Sequence, residues 1–296
     1  MDRSDHRKSS PRPIRPPARK SGRSRGVLNP GAGEQVYKTA RYHPSGDLAA
    51  YVEHYWIVRW DLRGKEPFRQ ETLPHPAIHV ALEQGRFDVY GVVQGRFIRV
   101  LEGQGRVFGI MFRPGAFHPF FRRPVSELTN RIVPVQRLFG DAGHSLGAAI
   151  IASDEVARCI EIAEDFLRAK RPAPDENLDR VSRIVKRIAE TPAITHVKHL
   201  LDDLDISRRT LQRHFDDYVG VSPKWVIRRY RLHEAIDRIA PGQRMEWANL
   251  AVDLGFYDQA HFIRQFKTLV GRTPQDYARS LEQPRRRIAP RADRPA

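Results

Sequence analysis

The sequence is poor in cysteine. Its 296 residues include only one, Cys159, which excludes an intramolecular disulfide and a zinc site built from several cysteines. Cys159 lies in an apolar run with helical spacing, so we expect a small core residue rather than a nucleophile. The sequence also has no glycine-rich phosphate-binding loop and no nucleophile-elbow motif. The usual signals of nucleotide-dependent enzymes and α/β hydrolases are therefore missing.

Long apolar runs are also absent. The longest, around residues 146–152, is far too short to cross a bilayer. The basic N-terminus is not followed by the apolar stretch of a secretory signal. The sequence therefore predicts a soluble cytoplasmic protein with no membrane partner, long enough for two domains.

Positive charge is abundant but concentrated at the two ends. The formal net charge is +16, and residues 1–25 hold nine Lys/Arg and two Asp, while residues 283–296 hold five Arg and one Asp. The ends thus carry +11 of the total, which favours contact with polyanions but says little about sequence-specific reading. Residues 1–33 and 283–296 are predicted to be disordered basic tails. For the first tail, a non-specific DNA-contacting arm is the alternative to a solvated segment.

Residues 34–170 are predicted to form a β-rich domain that ends in helices. Runs of aromatic and β-branched residues separated by glycine-containing turns predict strands at 51–61, 77–82, 87–93, 97–101 and 107–112. Helical spacing predicts short helices at 47–53, 116–121, 125–131, 135–140 and 145–151, and a firmer one at 154–169. Such closely spaced strands suggest a compact antiparallel sheet or barrel.

Residues 171–177 are predicted to be a linker, because two prolines nearby interrupt helix formation. Residues 178–282 read as an all-α domain. Predicted helices cover 178–188, 195–204, 223–239 and 246–254, and a last one runs from Pro274 toward Leu281. Two further short helices belong to a repeat within this domain.

The repeat consists of Ser-Arg-Arg-Thr-Leu-Gln-Arg-His-Phe at 207–215 and Asp-Gln-Ala-His-Phe-Ile-Arg-Gln-Phe at 258–266. Each copy opens with a helix-capping residue and places two large apolar residues four positions apart with an arginine between them. A glycine follows five residues later, and then Ser-Pro or Thr-Pro. Upstream of the copies the offset is 50 rather than 51, since the second turn contains one extra residue. Two matched copies predict a pair of helix-turn-helix units rather than ordinary amphipathic helices with solvated basic faces.

Helix geometry separates the outward from the inward side chains of the two copies. In a helix-turn-helix unit the second helix enters the major groove with its N-terminal residues toward the bases. In the first copy Arg209 and Arg213 face outward, with Gln212 at the edge, and these side chains can bond to guanine and adenine.

The second copy is poorer in hydrogen-bond donors. Its outward positions are Ala260, Ile263 and Arg264, flanked by Gln259 and His261. Its small and apolar side chains can contact thymine methyl groups. We therefore predict that the first unit carries more hydrogen-bond readout than the second.

Residues 178–281 resemble the DNA-binding domain of AraC/XylS-type transcriptional regulators. The motifs that carry the likeness are Ser207–Phe215, Gly220-Val-Ser-Pro223, Arg231-Leu-His-Glu-Ala235, Leu250-Ala251, Leu254-Gly-Phe256, His261-Phe262, Arg264, Phe266 and Gly271-Arg-Thr-Pro274. The resemblance covers about a third of the chain and implies seven helices, with the two units joined by a linking helix at Pro223–Ile239. It implies that both recognition helices lie in successive major grooves on one face of the DNA.

The resemblance also implies which residues contact DNA. Base contacts fall on Arg209, Gln212, Arg213, Gln259, Ala260 and Arg264. Backbone contacts are expected at Arg208, Thr210, Lys224, His261 and Lys267. In the second helix, small and apolar residues stand where the family often has polar ones.

The N-terminal half resembles the regulatory domain attached to one branch of the same family. The likeness rests on Tyr51–Trp56, Leu73–Pro76 and Phe112–Gly115. It implies a β-rich domain, for which a cupin-like fold is one option, and it names no ligand.

Four residues with metal-binding side chains recur at a spacing of four in the same half: Glu71, His75, His79 and Glu83. Pro74 and Pro76 break regular structure between them, and the ligand spacing of cupins is absent. Polar residues beside a turn are the favoured interpretation, and we predict no metal, cofactor or catalytic residue. Four aromatic residues are expected in the core rather than in a ligand cage: Trp56, Trp60, Tyr90 and Phe97.

Together these features predict an α+β protein that regulates transcription by sequence-specific DNA binding. The predicted partners are double-stranded DNA, a small-molecule effector, a second copy in a homodimer, and RNA polymerase if the protein activates. One alternative is a cupin-type metal- or ligand-dependent enzyme whose helical domain oligomerises. Another is a non-specific nucleic-acid compactor driven by the basic tails.

Overall fold

The computed structural model describes residues 28, 33, 35–170, 172–240, 242 and 244–282. It confirms the predicted α+β organisation, with a β-rich N-terminal half followed by a helical C-terminal half. Apart from Leu28 and Gly33, the two predicted tails lie outside the described residues.

Eight strands build the N-terminal half: β1 (Tyr37–Tyr42), β2 (Val52–Leu62), β3 (Phe68–Thr72), β4 (His79–Glu83), β5 (Arg86–Tyr90), β6 (Phe97–Leu101), β7 (Gly103–Phe112) and β8 (Ile132–Pro134). Six of them form an antiparallel sheet in the order β1-β2-β7-β4-β5-β8, and β3 pairs with β6. The long strands β2 and β7 lie at the centre and pair from Val52 with Phe112 to Leu62 with Gly103. A cupin-like arrangement of these strands stays a prediction.

Three helices complete this half: α1 (His118–Phe121), α2 (Val135–Ile151) and α3 (Val156–Ala169). The two helices predicted at 135–140 and 145–151 correspond to α2, which consists of two helical stretches that meet at a kink at Gly140. Cys159 is buried in α3, as predicted, and Trp60 is buried in β2. Trp56, Tyr90 and Phe97 are only half-buried.

Two helix predictions in this half were wrong. Residues 47–53 form a short 3₁₀ turn at Gly46–Leu48 and then enter β2, because the Tyr51 carbonyl accepts the Arg113 N–H across the sheet. Residues 125–131 form a 3₁₀ turn at Val125–Leu128 that leads into β8. In both places pairing within the sheet outweighs local helix propensity.

Among the described residues, the C-terminal half contains seven α-helices, as the resemblance implies. They are α4 (Glu176–Glu190), α5 (Val197–Leu201), α6 (Arg208–His214), α7 (Pro223–Arg238), α8 (Trp247–Asp253), α9 (Gln259–Val270) and α10 (Pro274–Glu282). The first begins two residues earlier than predicted because the Asp175 carboxylate accepts the N–H groups of Asn177 and Leu178. Among the described residues, no helix is long and apolar enough to cross a membrane.

The hydrophobic core does not divide at the boundary between the two halves. One continuous cluster runs from Leu48 in the N-terminal half to Ile227 in α7 and includes Leu211 and Phe215 of the first repeated unit. A second cluster holds the other unit together with Leu28 and Leu73 from the N-terminal half. The domain limits 34–170 and 178–282 stay predictions, and the first unit packs as part of the N-terminal half.

Candidate nucleic-acid interface

The first repeated unit ends in α6, a short helix with one buried and one exposed side. The Ser207 hydroxyl accepts the Thr210 N–H at 3.1 Å and caps its first turn. Leu211 is fully buried, whereas Arg209 and Arg213 are exposed. Ordinary amphipathic spacing therefore places both guanidinium groups in solvent, where a polyanion can reach them.

The C-terminal end of α6 carries negative charge. A π-helical turn at Phe215–Val219 extends the helix and holds Asp216 and Asp217 half-buried. The Gln212 side-chain amide donates to the Asp216 carboxylate at 3.0 Å. One N–H of the Gln212 amide is thus engaged by Asp216, and the amide still has a second N–H donor and an acceptor oxygen.

His214 points away from solvent on the buried side of the same helix. Burial lowers the pKa of its imidazole, and the neighbouring Arg180 and Arg213 lower it further. The lowered pKa disfavours a charge on the His214 ring, so the positive face of α6 consists of its exposed arginines.

The second unit ends in α9, which is longer. The Asp258 carboxylate accepts the His261 N–H at 2.6 Å, and Phe262 and Phe266 are fully buried. The exposed residues of its outward side are Gln259, Ala260, Arg264 and Lys267. Ile263, which was predicted to face outward, is half-buried against the second core cluster. The exposed face of α9 carries one arginine, whereas that of α6 carries three, at 208, 209 and 213.

The helix α7 connects the two units and is buried on several sides. Val226 and Ile227 belong to the core shared with the first unit, whereas Leu232 and Ala235 belong to the core of the second. The Arg228 guanidinium donates to the Gln265 side chain of α9 at 2.7 Å. A helix of 16 residues that is anchored at both ends acts as a rigid spacer.

The remaining predicted contact residues lie around these helices. Arg208 and Lys224 are exposed in the first turns of α6 and α7, and Thr210 is half-buried. His261 is half-buried near the start of α9. These four residues therefore lie in the first turns of α6, α7 and α9.

The four residues with metal-binding side chains at a spacing of four do not converge on one point: they are Glu71, His75, His79 and Glu83. Glu71 on β3 pairs with two arginines, whereas Glu83 at the end of β4 pairs with Arg99. His79 is half-buried, and desolvation lowers its pKa to about 4, while His75 lies against the His233 ring. Within the described ranges, no three His, Cys, Asp or Glu side chains converge as metal ligands.

Contacts between the N-terminal half and the helical C-terminal half could not be predicted from the sequence. The Arg272 guanidinium, in the turn after α9, donates to Glu71 at 2.6 Å, and Arg96 donates to the same carboxylate at 3.1 Å. On the first unit, the Thr129 hydroxyl donates to the Gly220 carbonyl at 2.6 Å. These partners are far apart in the chain, so no local pattern marks them.

Two family models match this chain. One, described as a helix-turn-helix domain, matches residues 200–280, and the other, described as a domain of unknown function, matches residues 40–134. The first match covers both repeated units and the helix between them. The second covers all eight strands except the start of β1.

A curated relative is also similar in part. It is an uncharacterized HTH-type transcriptional regulator from Haemophilus influenzae, 28% identical over 86 residues. The match covers 29% of this chain and spans 28% of the relative's length.

Solved structures show weaker overall likeness. ToxT from Vibrio cholerae O395 is 13% identical, with 83% of this chain and 98% of that one covered and a TM-score of 0.34. The xylose-binding transcription activator xylR is 18% identical, with 43% and 40% covered and a TM-score of 0.28. TM-scores this low do not establish a shared arrangement of the domains.

Proposed function

We propose that the protein is a sequence-specific transcription regulator of the AraC/XylS type, because residues 200–280 match a helix-turn-helix family model and carry the motifs of that family. The carrying observation is the pair of capped, basic helices α6 and α9 on either side of the rigid helix α7. Two recognition helices at a fixed spacing, α6 and α9, can enter two neighbouring major grooves of one duplex.

In this proposal the two units contribute unequally. Arg209 and Arg213 form bidentate bonds with guanine, and Gln212 reads adenine. In the second unit Arg264 and Gln259 supply hydrogen bonds and Ala260 supplies an apolar contact. Arg208, Thr210, Lys224, His261 and Lys267 hold the register through backbone contacts.

The N-terminal half modulates binding through its contacts with both units. Its core merges with that of the first unit, whereas it meets the second unit mainly through the Glu71–Arg272 pair and the buried side chains of Leu28 and Leu73. Any change in the sheet around β3 would thus be transmitted to the second unit. An open cavity of about 230 Å³ beside Trp60 lies in the same half. This volume is below the roughly 300–1,000 Å³ of common ligand sites, so an effector held there would be small.

The remaining predictions follow from this function. The mechanism requires no covalent chemistry and no cofactor. A cytoplasmic location matches access to chromosomal DNA. A homodimer, and contact with RNA polymerase if the protein activates, stay predictions.

Selection of bound duplexes from a random library tests the proposal. We expect the full chain and a chain without residues 1–25 and 283–296 to enrich the same site. That site should contain two sequence blocks about 10–10.5 base pairs apart, centre to centre. Loss of the tails should weaken binding to all duplexes by a similar factor, because tail contacts are electrostatic. If the trimmed chain enriches no sequence, binding depends on the tails and the proposal is wrong.

A further inference from the structure

Tyr257 is the most exposed large hydrophobic residue in the described part of the chain. Its side chain is 91% exposed, and the next such residue, Val252, is 68% exposed. It lies in the turn of the second unit, directly before Asp258, the capping residue of α9. None of the predicted DNA contacts includes it.

The exposure of Tyr257 does not come from a loosely held turn. Phe256, on one side, is buried, and its ring packs against Phe262 at 5.2 Å and against His261 at 5.6 Å. Asp258, on the other side, is fixed by its bond to the His261 N–H. The turn therefore holds the tyrosine ring in solvent at a defined place beside the N-terminus of α9.

The backbone of Tyr257 also orients a neighbouring donor. Its N–H donates to His261 Nδ1 at 3.4 Å, which favours the tautomer with the proton on Nε2. Two donors, the Tyr257 hydroxyl and His261 Nε2, are thus available at the same end of the helix.

Alignment of the two units shows that Tyr257 has no counterpart in the first unit. It is the extra residue of the second turn, since Phe256 corresponds to Ile206 and Asp258 corresponds to Ser207. Ile206 is half-buried, so the first unit has no exposed aromatic side chain at this point. The additional donor therefore belongs to the unit whose helix has the fewer polar outward residues.

We propose that the Tyr257 hydroxyl donates to a phosphate oxygen at the edge of the major groove that receives α9. The inference rests on the proposed function. When the N-terminal end of a recognition helix enters the groove, the residue before its cap lies at the groove edge, where the sugar-phosphate backbone runs. Tyrosine is among the side chains that contact phosphates, and such contacts fix position without reading sequence. Tyr257 anchors the second unit in this way.

The test compares Tyr257→Phe with the wild-type chain on the selected site and on its single-base variants. The change removes only the hydroxyl, so we expect binding to weaken about 3- to 10-fold, the net size of one ordinary hydrogen bond. The factor should be the same for every variant, and the slope of affinity against salt should not change, because tyrosine is neutral. Val252→Ala, which trims an exposed side chain in the same unit, should bind as the wild type does.

Two results would overturn the inference alone. One is Tyr257→Phe affinity within twofold of wild type, and the other is a loss confined to one base position, which would mean base reading. A wild-type chain that selects no sequence would overturn the proposed function and this inference together.

Discussion

Arg229 and Arg231 are both buried in α7, yet their guanidinium groups have very different surroundings. Arg231 donates to the Ile188 carbonyl and to Glu234, each at 2.7 Å. Arg229 donates through Nε to the Pro74 carbonyl, but its two terminal nitrogens have no hydrogen-bond partner among the described residues. Burial lowers the pKa of Arg229 to about 9. A charge that is buried without full compensation destabilises the fold. The burial of Arg229 at the contact between the halves therefore lowers the free energy of unfolding.

We therefore expect methionine to have different effects on the free energy of unfolding at these two positions. Arg229→Met keeps the length of the side chain and removes the poorly solvated charge, so the free energy of unfolding should stay within about 1 kcal/mol of wild type or rise. Arg231→Met leaves a buried carbonyl and Glu234 with fewer partners and should cost about 2–4 kcal/mol. Urea denaturation at pH 7 measures both.

The pH dependence provides a check on the Arg229 prediction. Since the folded pKa of about 9 lies below the ordinary value of 12.5, the desolvation cost is full below pH 9 and falls as pH rises above it. The stability of wild type relative to Arg229→Met should therefore improve between pH 8 and pH 10. Arg229→Met could instead lower the free energy of unfolding as much as Arg231→Met does at every pH. That result would show that the Arg229 guanidinium is fully hydrogen-bonded in the folded protein.

At the scale of single elements, the two repeated units end in glycines with matched geometry and different neighbours. Gly220 has φ +86° and Gly271 has φ +84°. A Cβ at Gly220 would lie 3.0 Å from the Val125 carbonyl oxygen, which is fixed in the backbone. A Cβ at Gly271 would meet the guanidinium end of Arg96, which is flexible and can move aside.

We therefore expect alanine at the two glycines to have unequal costs. Both substitutions force alanine into the left-handed region, at about 1–2 kcal/mol. Gly220→Ala should cost at least about 1 kcal/mol more than Gly271→Ala, because backbone atoms must move to make room. Thermal and urea unfolding of the two variants compare the costs, and equal values would contradict the close packing of Gly220 against Val125.

The same elements show why some of the fold could be predicted from sequence. Helix caps such as Ser207 and Asp258 act through bonds to residues a few positions away, so their spacing in the chain is enough to place α6 and α9. The strand β1 and the turn at 125–128 depend on partners far along the chain. Pairing of Tyr42 with Tyr55, or of Gly91 with Arg131, leaves no local signal.

At the scale of the whole molecule, the two halves are joined by contacts of two kinds. The first unit shares a continuous apolar core with the N-terminal half, and such an interface does not separate easily. The second unit meets the same half through the buried side chains of Leu28 and Leu73 and through Glu71, which is held by both Arg96 and Arg272. None of this could be read from the sequence, since Glu71 and Arg272 lie 201 residues apart.

A matched pair of glutamates tests the contact with the second unit. Glu71→Gln removes the charge that holds Arg272, whereas Glu83→Gln removes an equally buried charge that pairs only within the N-terminal half, with Arg99. We expect Glu71→Gln to speed hydrogen exchange at 259–282 and to change the affinity for the two-block site by at least about threefold, as for a partly buried ion pair. Glu83→Gln should do neither.

Equal effects of the two glutamate variants would mean that Glu71 stabilises the N-terminal half without controlling the second unit. If hydrogen exchange at 259–282 is unchanged in both variants, the apolar contacts of Leu28 and Leu73 hold the second unit without the Glu71–Arg272 ion pair.

Base preference after a single arginine substitution tests the central claim most directly. Binding of wild type, Arg209→Ala and Lys224→Ala is measured on every single-base variant of the selected site, at two or more salt concentrations. We predict that Arg209→Ala costs about 1–3 kcal/mol and relaxes one position of one block. Lys224→Ala should weaken all variants alike and lower the salt slope by about 1. An Arg209→Ala chain that loses the same factor on every variant would contradict base reading by the first unit.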